Sequence, residues 1–246
     1  MKLIKLFCAI FIVTTIVSCT VTENIYISDT GSGKFSVEMD GSALMAMIPN
    51  DSLGIEKNID STFSFKQVFA EKKDSIATLS KKEQERFKKI ENFTIHMTMN
   101  FVAKQFLFSM NTDFKNVADL QDAMETINTV NAMQHNSKRT ANSYIPTAGF
   151  GSNNSALGYF YNGKKFIRKA TLAKVEKRKI EKDSLVDYKM INKTNQYVLK
   201  YHFPKPVKKV SNSTALFSKD RKTITIEYSF NEYMENPDKL NIEVEF

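Results

Sequence analysis

Phe93-Thr94-Ile95-His96-Met97-Thr98-Met99-Asn100-Phe101, followed after a brief turn by Phe106-Leu107-Phe108-Ser109-Met110, is the stretch that decides the fold. Its Phe, Ile and Met side chains fall at every second position. Successive side chains on a strand point to opposite faces, so the pattern predicts two antiparallel strands with one buried face. An apolar sheet face needs a cover. Asn116 to Gln134 offers one, with Val117, Leu120, Met124, Ile127 and Val130 at three- and four-residue steps. That spacing predicts an amphipathic helix of about five turns.

Upstream of this stretch, Val21–Ile27 and Lys34–Asp40 alternate in the same way around Asp29-Thr30-Gly31-Ser32-Gly33, and read as a β-hairpin. The glycines there do not make a phosphate loop, because Gly33-Lys34 runs into a strand instead of opening a helix. Nor do they make a calcium loop, because Gly31 and Gly33 stand where carboxylates are needed. Gly41 to Ile48 is a short helix that must stop near Pro49. Phe63 to Asn92 is charged and helical, in two pieces, with Ser80 and Glu83 in capping-box spacing before Lys81 to Ile90.

Downstream, His135 to Gly158 is polar and aperiodic, a loop. Asn162-Gly163 between Tyr159–Tyr161 and Lys164–Ile167 is the strongest short-range hairpin signal in the chain. Thr171 to Met190 reads as a charged helix. Tyr197 to Phe203, Thr223 to Tyr228 and Leu240 to Phe246 read as strands, with Pro204 and Pro206 forcing an extended bend. The sum is an α+β fold, with antiparallel β-hairpins near both ends packed with amphipathic helices.

The first residues carry an address. Lys2 and Lys5 precede an apolar run from Leu6 to Val17, then Ser18 and Cys19, which is the pattern of a secretory signal peptide too short to span a bilayer. Ile16-Val17-Ser18-Cys19 resembles the lipobox of bacterial lipoproteins, which implies cleavage before Cys19 and acylation of its thiol, palmitate included. Cys8 and Cys19 are the two cysteines of the chain, and Cys8 leaves with the signal, so the mature chain has no disulfide partner for Cys19. Several acyl chains hold a protein on a membrane where one holds it only marginally. Thr20 stands where the inner-membrane retention signal of enterobacteria has an acid. Residues 20 to 26 lack the acidic run that resembles a surface-export signal of Bacteroidetes. The resemblance therefore implies a lipid anchor in the outer membrane, facing the periplasm. The organisation expected is a signal peptide at 1–18, a lipidated N-terminus and strand start at 19–26, and a single periplasmic domain at 27–246 with a flexible loop at about 135–158.

The full chain carries 35 Lys and Arg against 27 Asp and Glu. Residues 1 to 18 take away two lysines and no acid, leaving a formal charge of +6 from a starting +8. A basic balance in the envelope points to anionic lipid or glycan neighbours, and the compartment excludes nucleic acid. There is no Trp among 19 Phe and 11 Met, so the interior is filled by side chains that ask for no buried hydrogen-bond partner.

The turn at Asp29-Thr30-Gly31-Ser32-Gly33, together with Tyr201-His202-Phe203-Pro204-Lys205-Pro206-Val207 and the strand at Asp220-Arg221-Lys222-Thr223-Ile224, resembles a group of uncharacterised flavobacterial lipoproteins. More distantly it is similar to the LppM-type lipoproteins of mycobacteria. The match covers the two ends of the chain. It implies an envelope location and no known enzyme chemistry.

Catalytic and metal chemistry find little support. None of His96, His135 and His202 has a His, Asp or Glu two to four residues later, so no metal site and no cofactor are expected. No Gly-x-Ser-x-Gly elbow occurs, and Gly149-Phe150-Gly151-Ser152 lies in the polar loop. Glycoside cleavage by paired carboxylates usually comes with aromatic stacking surfaces, and Trp is absent. The densest feature is basic. Lys164, Lys165, Arg168, Lys169, Lys174, Lys177, Arg178, Lys179 and Lys182 face only Glu176 and Glu181, a local charge of +7. Such a run beside a lipid anchor can contact anionic head groups, or else be a solvated helix face. Asp51-Ser52-Leu53, Asp60-Ser61-Thr62, Asp74-Ser75-Ile76 and Asp183-Ser184-Leu185 resemble the Bacteroidetes O-glycosylation acceptor, which marks Ser52, Ser61, Ser75 and Ser184. The reading is a membrane-anchored envelope lipoprotein, a non-catalytic binding or structural module for anionic lipid or an envelope protein. A periplasmic carrier of a lipid or lipophilic ligand is the alternative. An enzyme, with an acid or base paired across the 135–158 loop, is the third.

Overall fold

Alternation fixes which side of each strand turns inward, and two sheets form from it. The computed structural model describes residues 19–47, 58–121, 155–172 and 195–246. Thr20–Ile27 (β1) and Gly33–Asp40 (β2) pair antiparallel, with Thr20 opposite Asp40 and Ile27 opposite Gly33. The connecting turn works because Gly31 holds φ +83°, a region that costs a residue with a Cβ. Ser42–Met47 (α1) follows, and Ile59–Ser64 (β3) opens the next unit.

Ser64 then caps Phe65–Glu71 (α2): its hydroxyl accepts from the Gln67 N–H, and the Gln67 side chain reaches back to the Ser64 N–H. Lys73–Ala77 (α3) and Lys81–Ile90 (α4) come next. The Ser80–Glu83 capping box starts α4 as its spacing predicts. The charged stretch is therefore three helices, and Phe63, expected to be helical, lies in β3. Ser64 is the reason, since an N-cap residue is itself extended and the helix begins only at Phe65, leaving Phe63 paired with Ile95.

Thr94–Asn100 (β4) and Gln105–Phe114 (β5) form the expected antiparallel pair, with Ile95 opposite Met110. Phe93, Ile95, Phe108 and Met110 are buried on its inner face. Ser155–Tyr161 (β6) and Lys165–Leu172 (β7) make the Asn162-Gly163 hairpin, with Gly163 at φ +79° and Tyr161 opposite Phe166. Thr171 and Leu172 continue this strand and do not start a helix, because Thr171 pairs with Ala156 and Leu172 with Ser155.

Gln196–His202 (β8), Lys209–Val210 (β9), Leu216–Phe217 (β10) and Thr223–Ser229 (β11) lead to Phe230–Glu235 (α5), a 3-10 turn at Pro237–Leu240, and Ile242–Glu245 (β12). Leu240, expected to be in the last strand, belongs to that 3-10 turn. The eight-stranded sheet runs β10-β11-β8-β1-β2-β5-β4-β3, and the four-stranded sheet runs β6-β7-β12-β9. The fold is α+β, and among the described residues the strand pairings are antiparallel except for one. β1 and β8 lie parallel, with Thr20 opposite Gln196 and Tyr26 opposite His202.

The expected signal peptide at 1–18, Ser52, Met124 to Val130 of the expected long helix, His135, Gly149 to Ser152, and Lys174, Lys177, Arg178, Lys179, Lys182 and Ser184 lie outside the described residues. At the start of that helix, Val117 and Leu120 are buried in the core.

Candidate functional site

On β1 the inward positions are Val21, Glu23, Ile25 and Ile27, all buried. On β7 they are Phe166, Arg168 and Ala170, also buried. Each strand thus points one charge into the interior, and the two charges meet. Arg168 Nη2 lies 3.5 Å from Glu23 Oε2, with both side chains 0% exposed. Three tyrosines complete the carboxylate's shell. Tyr201 donates to Oε1 at 2.6 Å and Tyr159 to the same oxygen at 3.2 Å, while Tyr197 donates to Oε2 at 2.9 Å. Arg168 Nη1 donates to the Leu240 carbonyl at 2.9 Å. The Tyr233 ring of α5 stacks on Tyr197, centroids 3.5 Å apart.

Burial, then the nearby Glu23 charge, push the Tyr159, Tyr197 and Tyr201 hydroxyls well above the ordinary tyrosine range and Tyr233 up to about 12. They remain protonated donors. Burial works against the Arg168 charge, but the Tyr201 hydroxyl and the Glu23 carboxylate outweigh it and hold the guanidinium charged. The cluster joins the two sheets through β1, β8, β6, β7 and α5. Fully buried, it offers no substrate an approach, so its chemistry is cohesion. Arg168 is therefore corrected as a head-group contact: it is the partner of a buried carboxylate and faces no membrane.

The other basic positions divide. Lys165 pairs with Glu243, and that bond and the Glu243 charge raise its pKa. Lys169 is exposed on β7, and Lys164 is exposed at the Asn162-Gly163 turn. Lys164 lines a groove of roughly 630 Å³ with Gly163, Lys205, Pro206, Val207, Lys208, Arg221 and Phe246. Lys205 Nζ donates to the Gly163 carbonyl at 3.1 Å, which ties the hairpin turn to the proline-bent segment. Arg221 is fixed by more contacts. Its Nε donates to the Val207 carbonyl at 2.9 Å, its Nη2 reaches the Lys208 carbonyl at 3.5 Å, and its guanidinium lies 4.2 Å from the Phe217 ring centre. Its backbone sits at φ +56°, a conformation that a side chain makes costly.

This groove lies at the end of the molecule away from Cys19. β1 starts at Thr20, beside the cysteine, and runs roughly 23 Å at about 3.3 Å per residue. The Gly31 turn at its far end packs on Tyr161, which immediately precedes the Asn162-Gly163 turn. Cys19 itself is 7% exposed, and its N–H donates to Asn195 Oδ1 at 3.1 Å. Burial, then the Asp40 charge, raise its thiol to about 11.

His96, expected on the polar face of its strand, meets Asp60 of β3 at 2.9 Å across the sheet, a partner no short sequence spacing could show. His202 hydrogen-bonds Thr223 and stacks on Tyr26 at 4.0 Å. Ser61 is half-buried in β3 and Ser75 is exposed on α3. Among the described residues no three His, Cys, Asp or Glu converge as a metal site would require. Among them, too, no helix is long and apolar enough to cross a membrane.

No protein-family model matches the chain, and no curated protein matches it. Among solved structures it is similar to the NMR structure of the folded domain of LppM from Mycobacterium tuberculosis, with 8% identity and a TM-score of 0.42. That match covers 92% of this chain and 87% of the other. The likeness is weak and assigns this chain no role. The resemblance to LppM-type proteins thus has a weak structural counterpart, and the flavobacterial one has none.

Proposed function

We propose that this protein is an envelope lipoprotein, held on a membrane by acyl groups on Cys19, whose α+β domain is a non-catalytic binding module. The observation that carries the reading is the place of Cys19. The lipobox-like Ile16-Val17-Ser18-Cys19 ends one residue before β1, so cleavage there removes no strand residue. The Cys19 N–H bond to Asn195 also survives acylation, because an acylated amine still carries one N–H donor. Acylation of the thiol requires Sγ to turn outward from its present buried position. The outer membrane, facing the periplasm, is the placement that Thr20 and the residues after it favour.

The module reading is supported by the groove lining, which holds lysines, an arginine and apolar side chains but no Asp, Glu, His, Ser or Cys. Glu23, the one fully buried acid among the described residues, is spent on three tyrosines and an arginine.

Growth of producing cells with an alkyne fatty acid tests the anchor. The wild-type protein is expected to take up label and sediment with membranes, and Cys19→Ser to lose the label and accumulate as uncleaved precursor. Equal labelling of the two proteins, or none in the wild type, rejects the lipid anchor.

A further inference from the structure

The groove's chemistry is that of an acidic partner with apolar side chains. Its floor is apolar, with Val207 buried and Phe246 half-buried against Phe203 and Tyr161. Lys164, Lys205, Lys208 and Arg221 stand around it. Two acids at the same end are already engaged. Glu243 holds Lys165, and Asp220 accepts from Ser218 Oγ at 2.6 Å and the Lys222 N–H at 3.1 Å. Among the described residues no carboxylate lies within ion-pair distance of the four groove cations.

Arg221 adds a second, independent sign. Its backbone sits in the left-handed region that Gly fills most readily, and its side chain is braced there by two carbonyls. Two carbonyls and a ring fix its guanidinium at Nε and Nη2, and this preorganises the remaining Nη1 donors for a planar anion such as a carboxylate.

We propose that this groove docks an acidic segment of a partner protein, with carboxylates on Arg221, Lys205, Lys208 and Lys164 and an apolar side chain on Val207 and Phe246. The direction of approach rests on the Cys19 reading. With no linker between the lipid-bearing residue and β1, the anchored end stays on the bilayer and the groove stands off from it, open to the aqueous compartment. A bilayer surface is a broad plane and meets an end of this kind only at its rim, whereas an extended peptide enters the concavity.

The test is fluorescence anisotropy of a labelled peptide of alternating Glu and Leu against the full-length protein purified in neutral detergent, which runs whether or not Cys19 carries lipid. Binding is expected to weaken by at least about tenfold in Lys164→Glu/Lys205→Glu/Lys208→Glu and by less than about twofold in Lys81→Glu/Lys82→Glu/Lys88→Glu, which makes the same three charge reversals on α4. All six lysines are exposed, so both variants should fold. The milder Lys205→Gln/Lys208→Gln should weaken binding by about threefold. Absence of peptide binding overturns the proposal. Equal losses in the groove and α4 variants overturn it too, since net charge alone would then explain attraction. Groove-dependent binding to phosphatidylglycerol mixed micelles without peptide binding replaces it with a lipid surface.

Discussion

Arg168 and Arg221 are the same side chain in opposite settings. Arg168 is fully buried, one member of a cluster held between two sheets and a helix. Arg221 is exposed, held by two carbonyls and one ring, with donors to spare. A charge placed in the core is committed to its partners, because leaving any of them unpaired costs more than the pair is worth. A charge braced at the rim of a groove keeps its electrostatic reach. The difference shows why counting basic residues along 164–182 mixes two roles: Arg168 binds the protein to itself, and Lys164 faces outward.

The contrast can be broken most forcefully at Glu23. Glu23→Gln leaves the Arg168 charge buried without its counter-ion, and should cost about 3–5 kcal/mol in urea unfolding. Glu23→Gln with Arg168→Met should cost clearly less than the sum of the two single changes. Additive losses would mean that the ion pair is not the unit of cohesion. Tyr201→Phe removes the 2.6 Å bond to the carboxylate and should cost about 1.5–3 kcal/mol by the same measurement.

A pH titration sharpens the point without mutation. Tyr159, Tyr197, Tyr201 and Tyr233 keep their protons when folded to a higher pH than when unfolded. The unfolded chain then binds fewer protons, so stability is intact below the ordinary tyrosine value near 10 and falls above it. Each such tyrosine lowers it by about 1.4 kcal/mol per pH unit until its folded value is passed. Tyrosinate absorbance from these rings should appear together with loss of circular dichroism. Ionisation of all nine tyrosines near pH 10 with the fold intact would mean that the cluster is open to solvent. At the other extreme, Lys205→Gln and Lys208→Gln in the groove should each change stability by under about 0.5 kcal/mol, and a larger loss would recast the groove as a structural feature.

Local chemistry was legible in the sequence. The hairpins around Gly31 and Gly163, the β4–β5 pair and the Ser80–Glu83 box all depend on residues a few positions apart. Ser64–Gln67 and Ser229–Glu232 box their helices by the same spacing, and that signal was available to find the ends of β3 and β11. The cluster was half legible. Glu23 stands at an inward position of a strand whose other inward residues are Val21, Ile25 and Ile27, and Arg168 stands between Phe166 and Ala170. A charge at inward parity announces a buried partner, but reading β7 as ending at Ile167 hid Arg168. What no local pattern carries is the pairing of β1 with β8 or the gathering of Lys164, Lys205 and Arg221 at one end. Both are made by contacts between distant segments.

The parallel pairing of β1 with β8 also sets a clock. β1 meets β2 across a short turn, but Glu23 bonds to Tyr197 and Tyr201, 174 and 178 residues later. At roughly 5–20 residues per second of synthesis, the strand that completes its other side arrives on the order of ten seconds after the first hairpin. Until then β1 presents a bare edge of backbone donors and acceptors, with Glu23 on a face not yet covered. The strand that follows Cys19 is among the first to be made, and its second neighbour comes only after most of the chain. A nascent chain halted before residue 196 would display that edge, and its recognition by other strands is the hazard this fold has to outlast.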